Sequence, residues 1–389
     1  MNIDLGRHIP AGARILVAMS GGVDSSLSAA LLTRAGYQCV GVNMRTHQAV
    51  PPSARAPGRQ TCCSPEDARD ARAAADVAGL PFYVLDLEKE FEQAVIAPFV
   101  RDYVSGRTPN PCVLCNNSLK LGVLLHKAQA WGCDYVATGH YVRVAENTAT
   151  GRMELRRAAD RARDQSYYLF GLRQDQLRRL VCPLGNFTKP QVRALARELG
   201  LAVHDKPDSQ EICFVPAGDY RQFLRRRGVQ AGFQPGLIVR RDGTAVGTHR
   251  GIANYTVGQR RGLGIAAPQP LYVLELDPAR NLVIVGTAEE TLQNTLVCRG
   301  LNWVAIDEPT APLTALAQIR YRSQPAPADI APAADGACQV RFHQAQRAIT
   351  PGQAVVFYRD DVVLGGGWIE HAGTSAPAGV TSPCEVAQP

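Results

Sequence analysis

The sequence lacks several features that would assign it to a membrane or a secreted class of protein. It has no run of about 18 apolar residues, the length a helix needs to cross a membrane. Its start, MNIDLGRHIP, has no apolar stretch of the kind a secretory signal requires. Eleven cysteines are an odd number in a chain of 389 residues and do not indicate a disulfide framework. We therefore expect a cytoplasmic protein with no membrane partner, in which reduced thiols are available to react or to bind a metal.

The sequence also has only a small excess of positive over negative side chains. Lys and Arg number 42 against 35 Asp and Glu, a formal net charge of +7. This balance favours an anionic partner without by itself indicating nucleic acid. The chain is longer than one hydrophobic core usually grows, so two or three domains are expected.

The first half of the sequence has the rhythm of an α/β domain. From Arg14 to about Leu199, short apolar runs alternate with helical patterns, which is typical of a parallel sheet covered by helices. The predicted strands span 15–19, 39–45, 82–87 and 135–138. Two predicted helices have clear ends: one has Ser64 as its cap, Pro65 first and Gly79 past its end, and the other has the capping box Thr188/Gln191 and is closed by Gly200.

The second half has β patterns. Segments 237–241 and 245–248 flank an Asp242-Gly243 turn, and 271–276 and 282–285 predict a second hairpin. From 295 onward, further strands interrupted by the Pro/Ala-rich stretch 325–335 predict a small third β-domain or barrel, and the tail from 372 is expected to be disordered. The predicted boundaries are 1–205, 206–290, 291–372 and the tail 373–389.

A glycine-rich turn follows the first strand and opens a helix, in the segment Ser20-Gly-Gly-Val-Asp-Ser-Ser26. Its backbone N–H groups and the helix dipole converge on one point, which suits a phosphate. The two glycines allow a tight turn, the serine hydroxyls add donors, and Asp24 is expected to orient the turn or to hold Mg²⁺. The pattern G-x-x-x-x-G-K-[ST] is missing here, which excludes a P-loop with a phosphate-grasping lysine.

A cysteine pair lies in the turn-rich segment 108–117, which runs into a helical pattern at 119–131. We expect Cys115 at or just before the helix N-terminus, where the dipole lowers the pKa of a thiol. Cys112-x-x-Cys115 alone also fits half of a zinc site or a redox dithiol, but neither a second CxxC nor a CxxxH completes a zinc set. Cys213 lies between the α/β part and the β part, and domain junctions commonly form clefts. The spacing does not show whether Cys213 meets Cys115.

Nine motifs occur in order: SGGVDSS, GRTPNPCVLCN, ATGHYVR, RDQSYYL, DSQEICF, TVGQRRGLGI, IRYRSQ, TPGQAVVFY and LGGGWIE. With them the sequence resembles the bacterial tRNA-specific 2-thiouridylases, members of the N-type ATP pyrophosphatase (PP-loop) superfamily. The resemblance spans nearly the whole chain. It implies an adenine-nucleotide α-hydrolase-like PP-loop domain followed by two small, mainly β domains, the last a β-barrel.

The same resemblance implies an ATP- and Mg²⁺-dependent 2-thiolation of the wobble uridine of tRNA, in the tRNAs for Lys, Glu and Gln. The uridine oxygen attacks the α-phosphate, Cys213 receives persulfide sulfur from a sulfur-relay protein or a cysteine desulfurase, and Cys115 is the nucleophile that closes a disulfide with it. The implied ATP contacts are Ala18, Met19, Ser20, Gly21, Gly22, Val23, Asp24, Ser25, Ser26, Met44 and Gly139.

The resemblance also implies a set of tRNA contacts. These are Asn110, Pro111, Cys112, His140, Arg163, Asp164, Gln165, Arg320, Tyr321 and Gln353. The basic stretches 221–227 and 259–262 could in addition follow phosphates in the β-domains.

One departure from the family pattern leaves an alternative open. Many relatives carry Asp where this sequence has Cys112, so Cys112, Cys115 and Cys213 could instead hold a [4Fe–4S] cluster with one open iron. Two rival classes remain: an amide synthetase, which would need ammonia from a glutaminase partner, and a non-catalytic tRNA-binding module. Release of pyrophosphate from ATP that depends on tRNA distinguishes both from a thiouridylase.

Overall fold

The computed structural model describes residues 3–47, 65–208, 212–215 and 219–373. The α-helices there are α1 (Val23–Arg34), α2 (Pro65–Ala78), α3 (Glu88–Phe91), α4 (Ala97–Val104), α5 (Pro111–Leu114), α6 (Leu124–Ala130), α7 (Gln174–Leu177), α8 (Lys189–Glu198) and α9 (Tyr220–Arg226). Two π-helical segments, Glu92–Ile96 and Cys115–Val123, join α3 to α4 and α5 to α6. The strands are β1 (Arg14–Ala18), β2 (Gln38–Arg45), β3 (Phe82–Asp86), β4 (Tyr135–Ala137), β5 (Val142–Asn147), β6 (Arg152–Arg157), β7 (Leu180–Val181), β8 (Gly236–Arg240), β9 (Ala245–His249), β10 (Tyr272–Asp277), β11 (Leu282–Gly286), β12 (Leu292–Trp303), β13 (Leu313–Gln318), β14 (Ala326–Pro332), β15 (Cys338–Arg347), β16 (Ala354–Arg359) and β17 (Val362–Ala372).

The first domain is built on a parallel sheet in the order β3-β2-β1-β4-β7. Its central strand is apolar after Arg14, with Ile15, Leu16 and Val17 all fully buried. Successive side chains of a strand point to opposite faces, so Ile15 and Val17 join one core cluster and Leu16 joins the other. The predicted α/β class is confirmed, and each of the four predicted strands lies within a residue or two of its observed bounds.

The two helices with clear ends are confirmed where the structure describes them. Helix α2 begins at Pro65, and Gly79 after its end has φ +71°. Helix α8 has the predicted capping box, in which the backbone N–H of Thr188 donates to Gln191 Oε1 at 2.8 Å, and Gly200 has φ +73°. Ser64 lies outside the described residues, so its predicted cap stays a prediction.

The second domain carries a small sheet in the order β10-β11-β8-β9. Strands β8 and β9 form the predicted hairpin, with Gly243 of the turn at φ +87°, and β10 and β11 form the second. The two hairpins join through a parallel pairing of β8 with β11. Ile238, Val273 and Val283 are fully buried in the core of this domain.

The third domain is a closed antiparallel barrel in the described residues, in the order β12-β15-β14-β13-β16-β17, with β17 pairing back to β12. The prediction that 325–335 interrupts the strands is wrong, because β14 lies within it and pairs with both β13 and β15. Ala328 and Ile330 are buried at alternate positions of β14, as in any strand with one face on a core. The tail predicted to be disordered from 372 begins too early, because Ala372 is the last residue of β17. The rest of the predicted tail, from 374, lies outside the described residues.

A hairpin of the first domain extends the barrel. Strands β5 and β6 pair with each other, and β6 pairs with β17 at Arg156 and Val362. Leu155 shares a core cluster with Val356 and Tyr358 of the barrel. The first and third domains are therefore packed through a common apolar core. In the part of the chain that the structure describes, no helix is both long and apolar enough to cross a membrane.

Candidate active site

The glycine-rich loop lies at the carboxyl end of β1, where α1 begins. Its turn is held internally: the backbone N–H of Ser20 donates to Ser25 Oγ at 3.1 Å, and that hydroxyl donates to the carbonyl of Gly22 at 3.1 Å. Gly21 has φ +75°, and a Cβ there would lie 2.1 Å from the carbonyl oxygen of Asp67. Gly22 is the N-cap of α1, so no side chain of its own caps the first turn. This helix end is suited to a phosphate.

Two lysines lie against the loop. Lys189, the first residue of α8, is 6% exposed, and its Nζ lies 2.8 Å from both carboxylate oxygens of Asp24. The Nζ of Lys206 donates to the carbonyl of Gly21 at 3.0 Å and to Asp67 Oδ1 at 2.8 Å. Burial alone would lower the pKa of Lys206, but the carboxylates of Asp67 and Asp70 raise it overall. The loop is thus flanked by two ammonium groups.

Neither lysine was among the predicted site residues. Lys189 is 165 positions from Asp24 along the chain, and Lys206 is 185 positions from Gly21. No local motif marks such distant partners. The only signal in the sequence was the position of Lys189 at the start of a well-capped helix.

Asp24 links the start of α1 to α8 and to Tyr141. Its carboxylate accepts from the hydroxyl of Tyr141 at 2.8 Å as well as from Lys189. Burial and the charge of Asp24 raise the pKa of Tyr141, so the phenol stays protonated as a donor. No group of three His, Cys, Asp or Glu side chains in the described residues is arranged to hold a metal. Mg²⁺ bound with ATP takes most of its ligands from phosphate and water, so a single carboxylate such as Asp24 fits it.

Met44 and Gly139 lie at the same edge of the sheet, on the strands either side of β1. Gly139 follows β4, and a Cβ there would lie 2.8 Å from the backbone of Asp24 and Ser25. Met44 is half-buried near the end of β2. Because carboxyl ends of parallel strands share an edge, both residues adjoin the loop, at the point where the strand order reverses.

His140 follows Gly139 and is 8% exposed. Its Nδ1 lies 2.8 Å from Thr138 Oγ1. Burial, with a smaller contribution from Lys120, lowers the pKa of His140 well below its usual range. The imidazole is therefore neutral at physiological pH.

The position predicted for Cys115 is wrong. Helix α5 begins at Pro111, with Asn110 as its N-cap accepting from the N–H of Val113 at 3.5 Å. Cys115 therefore lies one turn inside the helix, at the start of the π-helical segment, and Cys112 lies in the first turn. Asn-Pro is itself a signal for a helix start, because a capping side chain is followed by proline at the first helical position. The prediction treated 108–111 as a turn and did not use this signal.

Cys115 and Cys213 pack against the same part of the molecule's core. Both are half-buried against a single apolar cluster, which we call the cysteine cluster. Its buried members are Leu87, Phe91, Val95, Ile96, Phe99, Tyr103, Leu119, Phe214, Val215 and Leu224. Met44 packs against the same cluster. The burial of His47, which bonds the backbone of Cys213, lowers the pKa of that imidazole.

Cys112 has different surroundings. It is exposed and lies near Tyr168 and Tyr321, whose rings are 4.4 Å apart. Burial raises the pKa of both phenols, and the charge of Cys112 contributes in the same direction. Since the described residues hold no group of three potential ligands, the three thiols do not fit a [4Fe–4S] cluster as they stand.

The other residues predicted to contact tRNA have structural partners. Arg163 Nη1 lies 2.7 Å from Asp208 Oδ2, which joins it to Lys189 through the same carboxylate group. Asp164 accepts from the hydroxyl of Ser166 at 2.8 Å. Gln165 accepts from the backbone N–H of Tyr141 at 2.9 Å. This segment therefore adjoins the nucleotide loop.

Gln353 and Arg320 are contributed by the barrel. Gln353 Nε2 donates to the carbonyls of Thr108 and Pro109 at 3.0 and 3.1 Å, so it holds the segment that leads into α5. Arg320 Nη2 donates to the carbonyl of Arg347 at 2.6 Å. That these two residues bind tRNA stays a prediction, and so does the same role for Asn110 and Pro111.

Three family models match the chain in order. They are a tRNA methyl transferase HUP domain over residues 13–217, a tRNA methyl transferase PRC-barrel domain over 221–287 and an aminomethyltransferase β-barrel domain over 293–369. They agree with an α/β domain followed by two β domains.

Relatives align along nearly their whole length. A tRNA-specific 2-thiouridylase of Koribacter versatilis is 49% identical over 363 residues, which cover 91% of this chain and 98% of that protein. One of Geobacter metallireducens is 51% identical over 363 residues, which cover 93% and 98%. One of Heliobacterium modesticaldum is 50% identical over 356 residues, which cover 91% and 92%. With this identity over almost its full length, the chain belongs to the family of tRNA-specific 2-thiouridylases.

Proposed function

We propose that this enzyme uses ATP to replace the 2-oxygen of the wobble uridine of tRNA by sulfur carried on Cys213, with Cys115 as the nucleophile that releases the product. The family relationship supports a tRNA 2-sulfurtransferase. Reduced thiols, ATP and tRNA occur together in the cytoplasm, where we place the activity.

One observation carries the proposal. Met44 lies on the strand next to β1 and its nucleotide loop, and it packs against the cysteine cluster that Cys115 and Cys213 also contact. In the proposed scheme, the site of activation by ATP therefore adjoins the site of sulfur transfer. A uridine placed between them would meet the α-phosphate on one side and the thiols on the other.

The first half-reaction needs positioning and charge more than proton transfer. The triphosphate would lie on the N-terminus of α1 with Lys189 and Lys206 beside it, so that the uridine 2-oxygen attacks the α-phosphorus and pyrophosphate leaves. Mg²⁺ bound with ATP would neutralise part of the phosphate charge, with Asp24 available to it. His140, being neutral, can accept or donate a hydrogen bond to the base without adding charge.

The second half-reaction transfers sulfur with its electrons. The terminal sulfur of a persulfide on Cys213 attacks C2 of the adenylated base, and AMP leaves with the former 2-oxygen. The base is then joined to Cys213 through a disulfide. The Cys115 thiolate attacks the Sγ of Cys213, a Cys115–Cys213 disulfide forms, and 2-thiouridine is released; a cellular dithiol must then reduce the enzyme.

The proposed sulfur source is a protein persulfide, from a relay protein or a cysteine desulfurase. Cys112 takes no part in this scheme. The scheme uses no iron–sulfur cluster, because the described residues do not bring three ligands together.

The test measures both half-reactions. Wild-type enzyme with ATP and tRNA should release pyrophosphate only when tRNA is present, and mass analysis should find 2-thiouridine at the wobble position once a persulfide donor is added. A non-catalytic tRNA-binding module would release no pyrophosphate, and an amide synthetase would require another acceptor.

Cysteine variants separate the sulfur schemes. C115S and C213S should each abolish thiolation, whereas C112D should keep substantial activity, because only the first two carry sulfur and electrons. Full thiolation by iron-free wild-type protein with a persulfide donor is the expected result. Activity that appears only after anaerobic reconstitution with iron and sulfide would contradict the persulfide scheme.

A further inference from the structure

A basic cavity lies in the second domain, between α9 and the segment 250–262. Its volume is about 810 Å³. The residues lining it are Asp219, Arg221, Gln222, Arg225, Arg250, Asn254, Tyr255, Thr256, Gln259, Arg261 and Gly262. Four arginines thus face one aspartate.

Hydrogen bonds and a ring contact hold several of the side chains that line the cavity. The guanidinium of Arg221 donates to the carbonyl of Asn254 from Nε at 3.0 Å and from Nη2 at 2.8 Å, which joins α9 to the segment 250–262. Arg225 lies over the ring of Phe233, 5.0 Å from its centroid. Asp219 is the N-cap of α9 and accepts from the backbone N–H of Arg221 at 3.0 Å.

The positive charge in the cavity is not balanced by carboxylates from other elements. Within the described ranges, none of Arg221, Arg225, Arg250 and Arg261 forms an ion pair. Other arginines of the second domain do form ion pairs, as Arg280 does with Asp277 at 2.6 Å. Unbalanced guanidinium groups around a concave surface are typical of a site for phosphate.

Helix α9 links this cavity to the cysteine cluster. Tyr220, Phe223 and Leu224 pack against the cysteine cluster, whereas Arg221 and Arg225 face the cavity. A helix with its side chains is about 10 Å across. A phosphate in the cavity would therefore lie about one helix diameter from the residues packed around Cys115 and Cys213.

We propose that this cavity binds the sugar-phosphate backbone of the substrate tRNA near the nucleotide being modified. The proposal rests on the proposed function, since it concerns the substrate of that reaction. A tRNA whose uridine lies at the cysteine cluster extends beyond that cluster on both sides of the uridine. The guanidinium groups of α9 lie next to the cluster, where they can contact the neighbouring phosphates. Arginine forks fit phosphodiester oxygens, and such contacts position RNA without reading its sequence.

The test removes two cavity charges whose side chains serve no described contact. In R250Q/R261Q the glutamines keep a polar side chain in place of the guanidinium groups. The matched control is R240Q/R241Q, at the end of the β8–β9 hairpin opposite Arg250, which loses the same charge from the same domain. Unchanged circular dichroism spectra and melting temperatures verify that both variants fold.

Binding of tRNA is measured directly, as Kd against salt concentration. Two lost phosphate contacts should reduce the slope of log K against log salt by about 1.4 to 1.8 and raise Kd on the order of tenfold. R240Q/R241Q should change both much less. Pyrophosphate release without any sulfur donor should show a raised KM for tRNA in R250Q/R261Q, with an unchanged KM for ATP.

Three outcomes would overturn the proposal. The first is a Kd and salt slope in R250Q/R261Q equal to those of the control. The second is a raised KM for ATP with unchanged tRNA binding, which would assign the cavity to a free nucleotide. The third is a defect only when sulfur comes from a protein persulfide, which would assign it to an acidic donor protein. A wild-type enzyme that fails to release pyrophosphate with tRNA would instead refute the proposed function.

Discussion

Lys189 joins the nucleotide loop to Asp208. Its ammonium group contacts Asp24 of the nucleotide loop at 2.8 Å and Asp208 at 2.7 Å, five positions before Cys213. Its side chain is 8% exposed, so the charge is largely removed from water. Without it, Asp24 keeps only the hydroxyl of Tyr141 among these partners, and Asp208 keeps Arg163. Removing a nearly buried cation from two partly buried carboxylates is more costly than losing an exposed ion pair.

Substitution of this lysine should therefore affect both stability and activation by ATP. In K189Q we expect a loss on the order of 3 kcal/mol in the free energy of unfolding, together with a raised KM for ATP. The control is R197Q on the same helix, which breaks an exposed pair with Asp205 and should cost less than about 1 kcal/mol. Thermal unfolding and pyrophosphate release measure the two effects. Equal, small effects in both variants would contradict the bridging role.

His140 should make stability depend on pH on the acid side. Burial lowers its pKa in the folded protein, whereas the unfolded chain has a pKa of about 6.5. Above that pH both states are neutral and the residue costs nothing. As pH falls below it, the unfolded chain takes up a proton that the folded protein does not. Stability then falls by up to about 1.4 kcal/mol per pH unit until the folded-state pKa is reached.

The variant H140N removes the imidazole that takes up the proton and keeps a polar side chain near Thr138. Its melting temperature should fall less than that of the wild type between pH 6.5 and 5.5. H126N, which changes an exposed histidine of α6, should follow the wild type. Parallel curves for wild type and H140N would show that burial of His140 contributes nothing to acid sensitivity.

At the scale of elements, the contact between β4 and the nucleotide loop is set by the lack of a side chain at Gly139. A Cβ there would lie 2.8 Å from two backbone atoms of the loop, closer than real Cβ contacts allow. G139A should therefore displace the loop, and because a shift of about 1 Å can cost roughly 100-fold in rate, pyrophosphate release should fall about that far. Affinity for tRNA should change little.

The control for this prediction is G247A on β9. There a Cβ would lie 3.4 Å from a side-chain atom of Ile265, an ordinary contact. Full pyrophosphate release by G139A would mean that the loop tolerates the shift and that β4 does not fix its position.

Elements were predictable where local pattern decides them. The strand at 15–19 and the helix after Thr188 have apolar runs or caps that act within a few residues, and both were close to their observed bounds. The errors arose where one local signal had two readings. Asn110-Pro111 fits a turn and also a helix start, and the Pro/Ala stretch hid the alternation of Ala328 and Ile330 in β14.

Only the part of the site formed by contiguous residues could be predicted from the sequence. The glycine-rich loop is contiguous, so its phosphate chemistry can be read from its residues. Lys189, Lys206 and Tyr141 reach it through tertiary structure, and no spacing in the sequence reports that. That Cys115 and Cys213 pack against one cluster likewise depends on tertiary structure, because they are 98 positions apart along the chain.

At the scale of the whole molecule, the first and third domains depend on each other. The β5–β6 hairpin adds to the barrel through β17, and the barrel residues Ala354, Val356 and Tyr358 are fully buried in a core shared with the first domain. Asp361 also bonds Arg143 at 2.8 Å across the same junction. Removing either domain exposes the large apolar side chains of the other to water, and that exposure is unfavourable.

Splitting the chain tests this dependence. A fragment of residues 1–290 should aggregate or lose its melting transition, because removal of the barrel exposes Val142, Leu155 and Tyr167, which are buried in the shared core. Co-expression with residues 291–389 should restore a soluble complex that binds ATP, since the severed connection between β11 and β12 lies outside that core. The control replaces the second fragment with one carrying V356D, which places a charge in the shared core and should abolish rescue. A 1–290 fragment that is stable and binds ATP alone would show that the barrel serves only to bind substrate.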